Sequence, residues 1–373
     1  MQLDKSRAIF RASPIAAKRP RNHRRLSASM ESDEAALQTL ALAWAQLPAP
    51  GLDASVLFLR GQVHAAWPPA SHPGWCLVQP SKPLFDALRR RGWGAQPEYP
   101  AGTRFARTVL LAPRQRAWAR ALLAQAVQAT EIGGIVLVAA HNDEGARSLQ
   151  ADLAALCGTP QVLAKHHARA CWICPLDASS VDPTILGQWL ALDKPVVNEA
   201  GWASRPGLFA WDRIDPGSAL LADLLPADLH GDVADLGAGW GYLACRALAR
   251  CPGIRHLDLY EADWRAQEPA RCNLARAAAT VELHWHDVLS GLSRRYDTIV
   301  CNPPFHRQRR EEPELGQGFI RVAAAGLHAH GTLWIVANRH LPYESTLGAH
   351  FKEVILLRKS QGYKAFMARG PRV

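Results

Sequence analysis

The chain has 373 residues, 48% of them hydrophobic and 20% charged, which is the composition of a globular protein large enough for two domains. Its sequence holds no apolar run of the roughly 18 residues that a membrane helix needs, and residues 1–30 lack the apolar stretch of a secretory signal. These features exclude a membrane-spanning or secreted protein, and we expect a cytoplasmic protein with no membrane partner.

The net charge of +10 is concentrated in a basic N-terminal arm, residues 1–30. This arm has eight lysines and arginines against one acid, Asp4, whereas the rest of the chain has 35 basic and 32 acidic residues. Such a run of like charge is typical of a disordered segment. Three interpretations stay open: the arm adds salt-sensitive affinity for RNA phosphates, it is a solvated tail, or translation starts at Met30.

Residues 31–198 are predicted to form a first α/β domain. An apolar-rich stretch at 35–47 predicts a helix and 55–61 predicts a strand, after which helical and strand-like segments alternate. The eight cysteines include one C-x-x-C pair, Cys171 and Cys174, which lies in a strand-like run without further ligands at suitable spacing. We therefore expect reduced thiols and no metal site.

The second half, residues 199–373, contains seven segments of strand character, with helical segments between the earlier ones. They are 232–236, 256–260, 281–285, 296–301, 332–337, 353–357 and 363–368. The last two are separated by a short turn, so they are predicted to pair antiparallel. The pattern predicts a seven-stranded, mostly parallel sheet that ends in an antiparallel hairpin.

A glycine-rich loop, Asp235-Leu-Gly-Ala-Gly-Trp-Gly241, follows the first of these strands. Its glycines let the backbone approach a ligand closely, and the helix that follows directs amide groups at that ligand. A dinucleotide fingerprint would need a small residue where Tyr242 stands. The loop therefore favours S-adenosylmethionine, which has no phosphate, over a dinucleotide.

Two acids, Glu261 and Asp287, follow the next two strands. Ligands of open α/β sheets bind at the carboxyl ends of the strands, where Glu261 can accept hydrogen bonds from both ribose hydroxyls and Asp287 from the adenine amino group. Taken singly, each acid is better explained as a solvated side chain, and it is their position after successive strands that favours the ligand role. With a fourth-strand asparagine, the predicted cofactor residues are Asp235, Gly237, Ala238, Gly239, Gly241, Glu261, Asp287 and Asn302.

The fourth strand ends in Asn302-Pro303-Pro304-Phe305, which we predict to be the catalytic segment. An exocyclic amine on a base is a poor nucleophile, and the amide oxygen of Asn302 with the carbonyl of Pro303 can hold its two hydrogens. The prolines stiffen that carbonyl, and Phe305 offers a face on which a base stacks. A rigid turn alone would also use two prolines, but the upstream glycine loop favours the catalytic interpretation.

A charged stretch, Arg307 to Glu314, follows His306. With Phe305, the candidate RNA contacts are His306, Arg307, Arg309 and Arg310. The arginines either touch phosphates or pair with the neighbouring glutamates, and the sequence does not decide between these.

One segment of the first half, Thr108 to Pro113, resembles Thr298 to Pro303. The alignment places Ala112 where Asn302 stands and indicates a duplicated domain that has lost its site. Chance similarity between two amphipathic stretches is the alternative.

The second half resembles the bacterial ribosomal RNA guanine-N2 methyltransferases, most closely the RsmC-like, small-subunit branch. The resemblance rests on GLFAWDRIDPGSALL (207–221), DLGAGWG (235–241), NPPFH (302–306), GTLWIVANRHLPY (331–343) and KSQGYKAFMAR (359–369). It implies two tandem Rossmann-like methyltransferase domains, of which the N-terminal one has lost its cofactor and serves substrate recognition.

The resemblance also implies a reaction: methyl transfer from S-adenosylmethionine to the 2-amino group of one guanine in 16S rRNA, within the assembled 30S subunit, by a monomer. Asn302, Pro303 and Phe305 would hold the guanine, and Asp215–Ser218 would help close the pocket, although that segment is also explained as a helix cap. The alternatives are 23S rRNA, another planar amine such as adenine N6 or a glutamine side chain, and a catalytically silent RNA-binding assembly factor.

Overall fold

The structure is a computed structural model that describes residues 28–49, 54–65, 74–99, 101–304, 306–307, 310–311 and 313–372. Residues 1–27 of the predicted basic arm lie outside this range. No helix within the described part of the chain is long and apolar enough to cross a membrane.

The first half contains a seven-stranded sheet. Its strands are β1 (Val56–Leu59), β2 (Trp75–Val78), β3 (Ala95–Gln96), β4 (Phe105–Leu111), β5 (Thr130–His141), β6 (Gln161–Lys165) and β7 (Ala168–Ile173). They lie in the order β3-β2-β1-β4-β5-β7-β6. β7 pairs antiparallel with both of its neighbours, and the other pairs are parallel.

The helices of this half cover both faces of the sheet, whose central strands are buried. They are α1 (Ala28–Trp44), α2 (Lys82–Arg90), α3 (Arg116–Ala129), α4 (Ala146–Cys157) and α5 (Pro183–Leu190). The predicted first helix is confirmed, but it begins and ends earlier than 35–47. A short hairpin of β8 (Val196–Val197) and β9 (Ala203–Ser204) follows.

The second half repeats the arrangement. Its sheet strands are β10 (His230–Leu236), β11 (Gly253–Glu261), β12 (Thr280–Trp285), β13 (Tyr296–Cys301), β16 (Leu327–Asn338), β17 (Phe351–Ser360) and β18 (Tyr363–Pro371), and a separate hairpin of β14 (His306–Arg307) and β15 (Arg310–Glu311) lies between β13 and β16 in the chain. The order is β12-β11-β10-β13-β16-β18-β17. The helices are α6 (Pro216–Leu224), α7 (Tyr242–Arg250), α8 (Gln267–Asn273), α9 (Pro313–Gly326) and α10 (Tyr343–His350).

The predicted fold class is confirmed: two α/β units in tandem, the second with a mostly parallel sheet and a terminal antiparallel hairpin. All seven predicted strands of the second half are present, each within the observed bounds. They were predictable because buried strands read as short apolar runs bounded by polar turns.

The two sheets have the same strand order, which favours duplication over chance for the repeated segment. The register, however, corrects the alignment by one residue. Leu59 pairs with Leu110, and Leu236 pairs with Cys301, so Leu111, not Ala112, stands where Asn302 stands. A strand that is buried on both faces is apolar at nearly every position, so shifting it by one residue hardly changes its sequence pattern, although the shift exchanges its two faces. The sequence alone therefore did not reveal the misalignment.

One loop of the first half makes backbone hydrogen bonds with the second half. Ser81 forms an isolated β-bridge with Asp263, the Lys82 amide donates to the carbonyl of Ala262 at 2.8 Å, and the Trp264 amide donates to the carbonyl of Pro80 at 2.9 Å. These bonds place the loop directly after the carboxyl end of β11, where Glu261 lies.

Candidate active site

The glycine-rich loop joins β10 to α7 at the carboxyl edge of the second sheet. Gly239 and Gly241 have φ values of +54° and +88°, a left-handed conformation that residues with a side chain rarely adopt. This backbone turns the Gly239 amide toward Glu261 Oε2, to which it donates at 2.8 Å. The glycines thus tie the loop to the acid of the next strand.

Both carboxylate oxygens of Glu261 accept backbone hydrogen bonds. Oε2 accepts from Gly239, and Oε1 accepts from the Asp263 amide at 2.8 Å. Burial raises the pKa of Glu261, and the charge of Asp263 adds to that rise, while the backbone hydrogen bonds oppose it. The carboxylate is therefore fixed in orientation, and its remaining lone pairs can accept hydrogen bonds from a ligand.

Asp235 lies fully buried beneath the loop. Its Oδ2 accepts from the Ala244 amide in α7 at 3.1 Å, while Oδ1 has no hydrogen-bond partner among the described residues. Burial raises the pKa of Asp235 to about 7, against the effect of the Ala244 hydrogen bond, and the nearby Glu261 carboxylate raises it further. A cationic ligand beside this pair of acids would favour their charged forms.

A cavity of about 460 Å³ opens in front of the loop. Asp287 lies on its wall and caps the turn that follows β12, since its Oδ1 accepts from the Leu289 amide at 3.0 Å. The cavity brings together residues that the sequence assigned to the cofactor and to the amine, together with residues from α6, α9 and the first half: Ser81, Pro83, Asp215, Ser218, Gly237, Ala238, Gly239, Tyr260, Glu261, Asp263, Asp287, Asn302, Pro303, Pro304, Leu315 and Phe319.

The side chain of Asn302 is held from the N-terminal end of α6. Its Nδ2 donates to Asp215 Oδ2 at 3.0 Å and to Ser218 Oγ at 2.8 Å. A carboxylate oxygen accepts but cannot donate, so the amide nitrogen must face Asp215. The amide oxygen Oδ1 then points the other way, and within the described chain it is buried without a partner.

The N-terminal end of α6 and Tyr363 together hold Asn302 in place. The sequence did not predict these contacts. Asp215 caps α6 by accepting from the Ser218 amide at 2.8 Å, and the Tyr363 hydroxyl donates to Asp215 Oδ1 at 3.3 Å. A Cβ on Gly217 would lie 2.6 Å from the Tyr363 ring. The Asp-Pro-Gly-Ser sequence signalled a cap, but the partner of that cap, Asn302, is far away in the chain.

The remaining predicted residues are the two prolines and the residues that follow them. Pro303 is buried and Pro304 is exposed, and both line the cavity. Phe305 and Arg309 lie outside the described residues. The backbones of His306, Arg307 and Arg310 belong to the hairpin of β14 and β15.

A glycine loop after one central strand, an acid at the end of the neighbouring strand and an antiparallel last strand define the class of this protein, a Rossmann-like methyltransferase. In agreement, residues 199–367 match the methyltransferase small domain family.

Similar proteins narrow the class. The chain is 30% identical over 275 residues to the Ribosomal RNA small subunit methyltransferase C of Shewanella pealeana, which covers 72% of this chain and 79% of that protein. It is 34% identical over 169 residues to the Ribosomal RNA large subunit methyltransferase G of Alcanivorax borkumensis, which covers 44% of this chain and 43% of that protein.

A solved structure from T. thermophilus, the 16S rRNA N2 methyltransferase RsmC in complex with AdoMet and guanosine, aligns with a TM-score of 0.72 at 24% identity, over 89% of this chain and 91% of that one. The shared fold therefore extends over both halves. The chain belongs to the family of ribosomal RNA small subunit methyltransferase C.

Proposed function

We propose that this protein transfers a methyl group from S-adenosylmethionine to the exocyclic N2 of a specific guanine in 16S rRNA. The observation that carries the proposal is the fixed amide of Asn302, whose oxygen is buried and unpartnered within the described chain, in the same cavity as the glycine loop. The small-subunit relatives support the choice of substrate.

S-adenosylmethionine fits the residues of this cavity. Carboxylates of Glu261, Asp263, Asp287 and Asp215 line it, which suits a ligand with a positively charged sulfonium. Glu261 would accept from the ribose hydroxyls, Asp287 from the adenine amine, and the glycine loop would lie against the rest of the cofactor. When bound, the cofactor supplies an electrophilic methyl carbon.

Asn302 and Pro303 would position the amine. Asn302 Oδ1 and the carbonyl of Pro303 accept hydrogen bonds from the two amine hydrogens, which orients the nitrogen lone pair toward the cofactor. Positive charge develops on the nitrogen as the new C–N bond forms and the bond from the methyl carbon to sulfur breaks, its electron pair staying on the sulfur, and the two oxygens stabilise that charge. The nitrogen then releases one proton to solvent, so the site needs orientation more than a strong base.

The first domain is proposed to serve substrate recognition, with domain boundaries at 31–198 and 199–373. Its residues at the equivalent positions are unsuited to the cofactor: Arg60 occupies the position of Gly237, and Gln79 occupies the position of Glu261. Gln79 Nε2 donates to the carbonyl of Gly61 at 2.9 Å, so the first half has an amide at the position of the Glu261 carboxylate.

We propose the assembled 30S subunit as the substrate, the cytoplasm as the place of action and a monomer as the active form. Phe305, His306, Arg307, Arg309 and Arg310 would contact RNA after the proline turn, and the basic arm would add affinity for phosphates.

The decisive experiment incubates the protein with labelled S-adenosylmethionine and separated 30S subunits, 50S subunits or naked rRNA. Nucleoside mass spectrometry should find N2-methylguanosine in 16S rRNA of the 30S sample. Asn302→Ala should lower the rate at least about 100-fold while leaving cofactor affinity within about threefold. Label in adenosine or in protein would contradict the proposal.

A second substrate, 23S rRNA, is favoured by one observation. A large-subunit methyltransferase is among the similar proteins, at 34% identity over 169 residues, beside the small-subunit relative at 30% over 275 residues. Methylation of the 50S sample alone would assign the protein to the large subunit while leaving the chemistry unchanged.

A further inference from the structure

Four possible metal ligands lie on the second sheet, away from the glycine loop. His256 and Asp258 belong to β11, and Glu282 and His284 belong to β12. Alternate residues of a strand point to the same face, and the parallel register aligns Asp258 with Glu282. The sequence pattern His-x-Asp on one strand and Glu-x-His on the next therefore places four ligand side chains together.

The ligand atoms have the spacing of a coordination site. Nε2 of His256 and Nε2 of His284 each lie 3.1 Å from Asp258 Oδ1, and each lies 3.8 Å from an oxygen of Glu282. The ligand atoms of His256, Asp258 and Glu282 all lie within 4.8 Å of one another. A tetrahedral Zn²⁺ ion with bonds of about 2.0–2.1 Å separates its ligands by about 3.3 Å, so small movements of these three side chains suffice. His284 is the candidate for the fourth ligand, because its Nε2 lies beside the same Asp258 oxygen.

The surrounding residues hold these ligands in place. The other oxygen of Asp258, Oδ2, accepts from the Tyr296 hydroxyl and from Arg294 Nε at 2.8 Å, which leaves Oδ1 facing the histidines. The ring of His284 stacks on Tyr260, with centroids 4.6 Å apart. Contacts of this kind orient metal ligands in proteins.

The cluster is also accessible from one side. The Asp258 side chain is 2% exposed, whereas that of Glu282 is 56% exposed. An ion can therefore enter from the solvent at Glu282 and reach a nearly buried carboxylate.

We propose that His256, Asp258, Glu282 and His284 bind one divalent transition metal ion of the Zn²⁺ type. Two imidazole nitrogens and two carboxylate oxygens suit Zn²⁺ and Co²⁺ better than Mg²⁺ or Ca²⁺, which prefer oxygen ligands. The ion would join β12, the edge strand of the sheet, to β11. The cysteine spacing gave no sign of this site because its ligands come from two strands and none is a cysteine.

The test uses the full-length, tag-free protein, freed of metal with a chelator and titrated with Co²⁺. We expect one Co²⁺ per chain with the visible absorption of a tetrahedral ion, displaced by Zn²⁺, and a higher thermal unfolding midpoint in the presence of Zn²⁺. His256→Gln and His284→Gln should each weaken binding at least tenfold. His141→Gln is the matched control, since its Nδ1 lies near Asp143 in the first half.

Glu282→Gln provides a second variant, because the Glu282 side chain is exposed and the fold does not depend on it. It should also weaken Co²⁺ binding at least tenfold, with the circular dichroism spectrum unchanged. The proposal is overturned if the wild-type protein shows no tetrahedral absorption, if it binds no more tightly than Glu282→Gln, or if His141→Gln weakens binding as much as the cluster variants.

Discussion

The amide of Asn302 is oriented by Asp215, a residue 87 positions earlier in the chain, through a 3.0 Å hydrogen bond from Nδ2 to Oδ2. The same carboxylate caps α6 and accepts a hydrogen bond from Tyr363. The beginning of one helix and the last strand of the sheet thus determine where the proposed amine acceptor points.

Asp215→Ala should therefore lower the methylation rate by about 10- to 100-fold, because Asn302 can then rotate away from the amine. Loss of the cap should cost about 1 kcal/mol of stability. Asp215→Asn keeps one acceptor oxygen and should retain more activity than Asp215→Ala. Single-turnover rates at saturating cofactor measure the effect. Asp212→Ala, at an exposed neighbour, is the control, and an equal loss there would refute a positioning role for Asp215.

Glu261→Gln should weaken binding of S-adenosylmethionine by about 10- to 100-fold. A glutamine has a single side-chain oxygen, so it can accept from the amide of Gly239 or from that of Asp263, but not from both. Its NH₂ group then faces the other amide without a hydrogen bond, or the side chain turns and loses a contact with the ribose. Calorimetry gives the dissociation constant directly. Glu268→Gln changes an exposed acid on α8 in the same way, and the prediction fails if both variants bind equally well.

Much of the second half could be predicted because its signals are local. The strands are short apolar runs, the glycine loop is seven residues long, Glu261 ends a strand and Asn302 directly follows one. Parallel strands bring such residues to one edge whatever lies between them. Their convergence on one cavity follows from the order of the strands alone.

What the sequence did not provide depends on distant contacts. Ser218 reaches Asn302 across 84 residues, and Tyr363 reaches Asp215 across 148 residues. Nothing in a capping sequence identifies a second partner, because the cap satisfies the helix end by itself. The one-residue slip that aligned Ala112 with Asn302 has the same origin, since only strand pairing fixes register.

Trp285 connects the two halves beside the cofactor site. Its Nε1 donates to the carbonyls of Pro80 at 3.0 Å and Ala262 at 2.9 Å, and its ring packs edge-on against Phe85 at 4.7 Å. Trp285→Phe keeps an aromatic ring and removes both hydrogen bonds. We expect a weaker affinity for S-adenosylmethionine, by about three- to tenfold, because the Ala262 segment directly follows Glu261.

The same calorimetric titration measures this effect. Trp334→Phe is the matched control, since among the described residues Trp334 Nε1 donates within its own strand, to Thr332 Oγ1 at 3.3 Å. Equal affinities for Trp285→Phe and wild type would show that docking of the first half does not influence the cofactor pocket.

Asp235 should make the protein without cofactor less stable as the pH rises. Burial raises the pKa of Asp235 from 3.8 to about 7, so the folded state holds the proton more tightly than the unfolded state. The stabilisation from this protonation is fully present below about pH 4 and is lost as the pH rises through 7. Between pH 5 and pH 8 the loss amounts to about 3 kcal/mol at most.

Asp235→Asn cannot titrate, and its amide oxygen can still accept from Ala244. Its thermal unfolding midpoint should therefore fall less than that of the wild type between pH 5 and pH 8, measured without cofactor. Asp223→Asn removes an exposed acid near Arg246 and should follow the wild-type pH dependence. Parallel curves for wild type and Asp235→Asn would mean that Asp235 keeps its charge in the folded protein, because an acid that is ionised in both the folded and the unfolded state adds no pH dependence over this range.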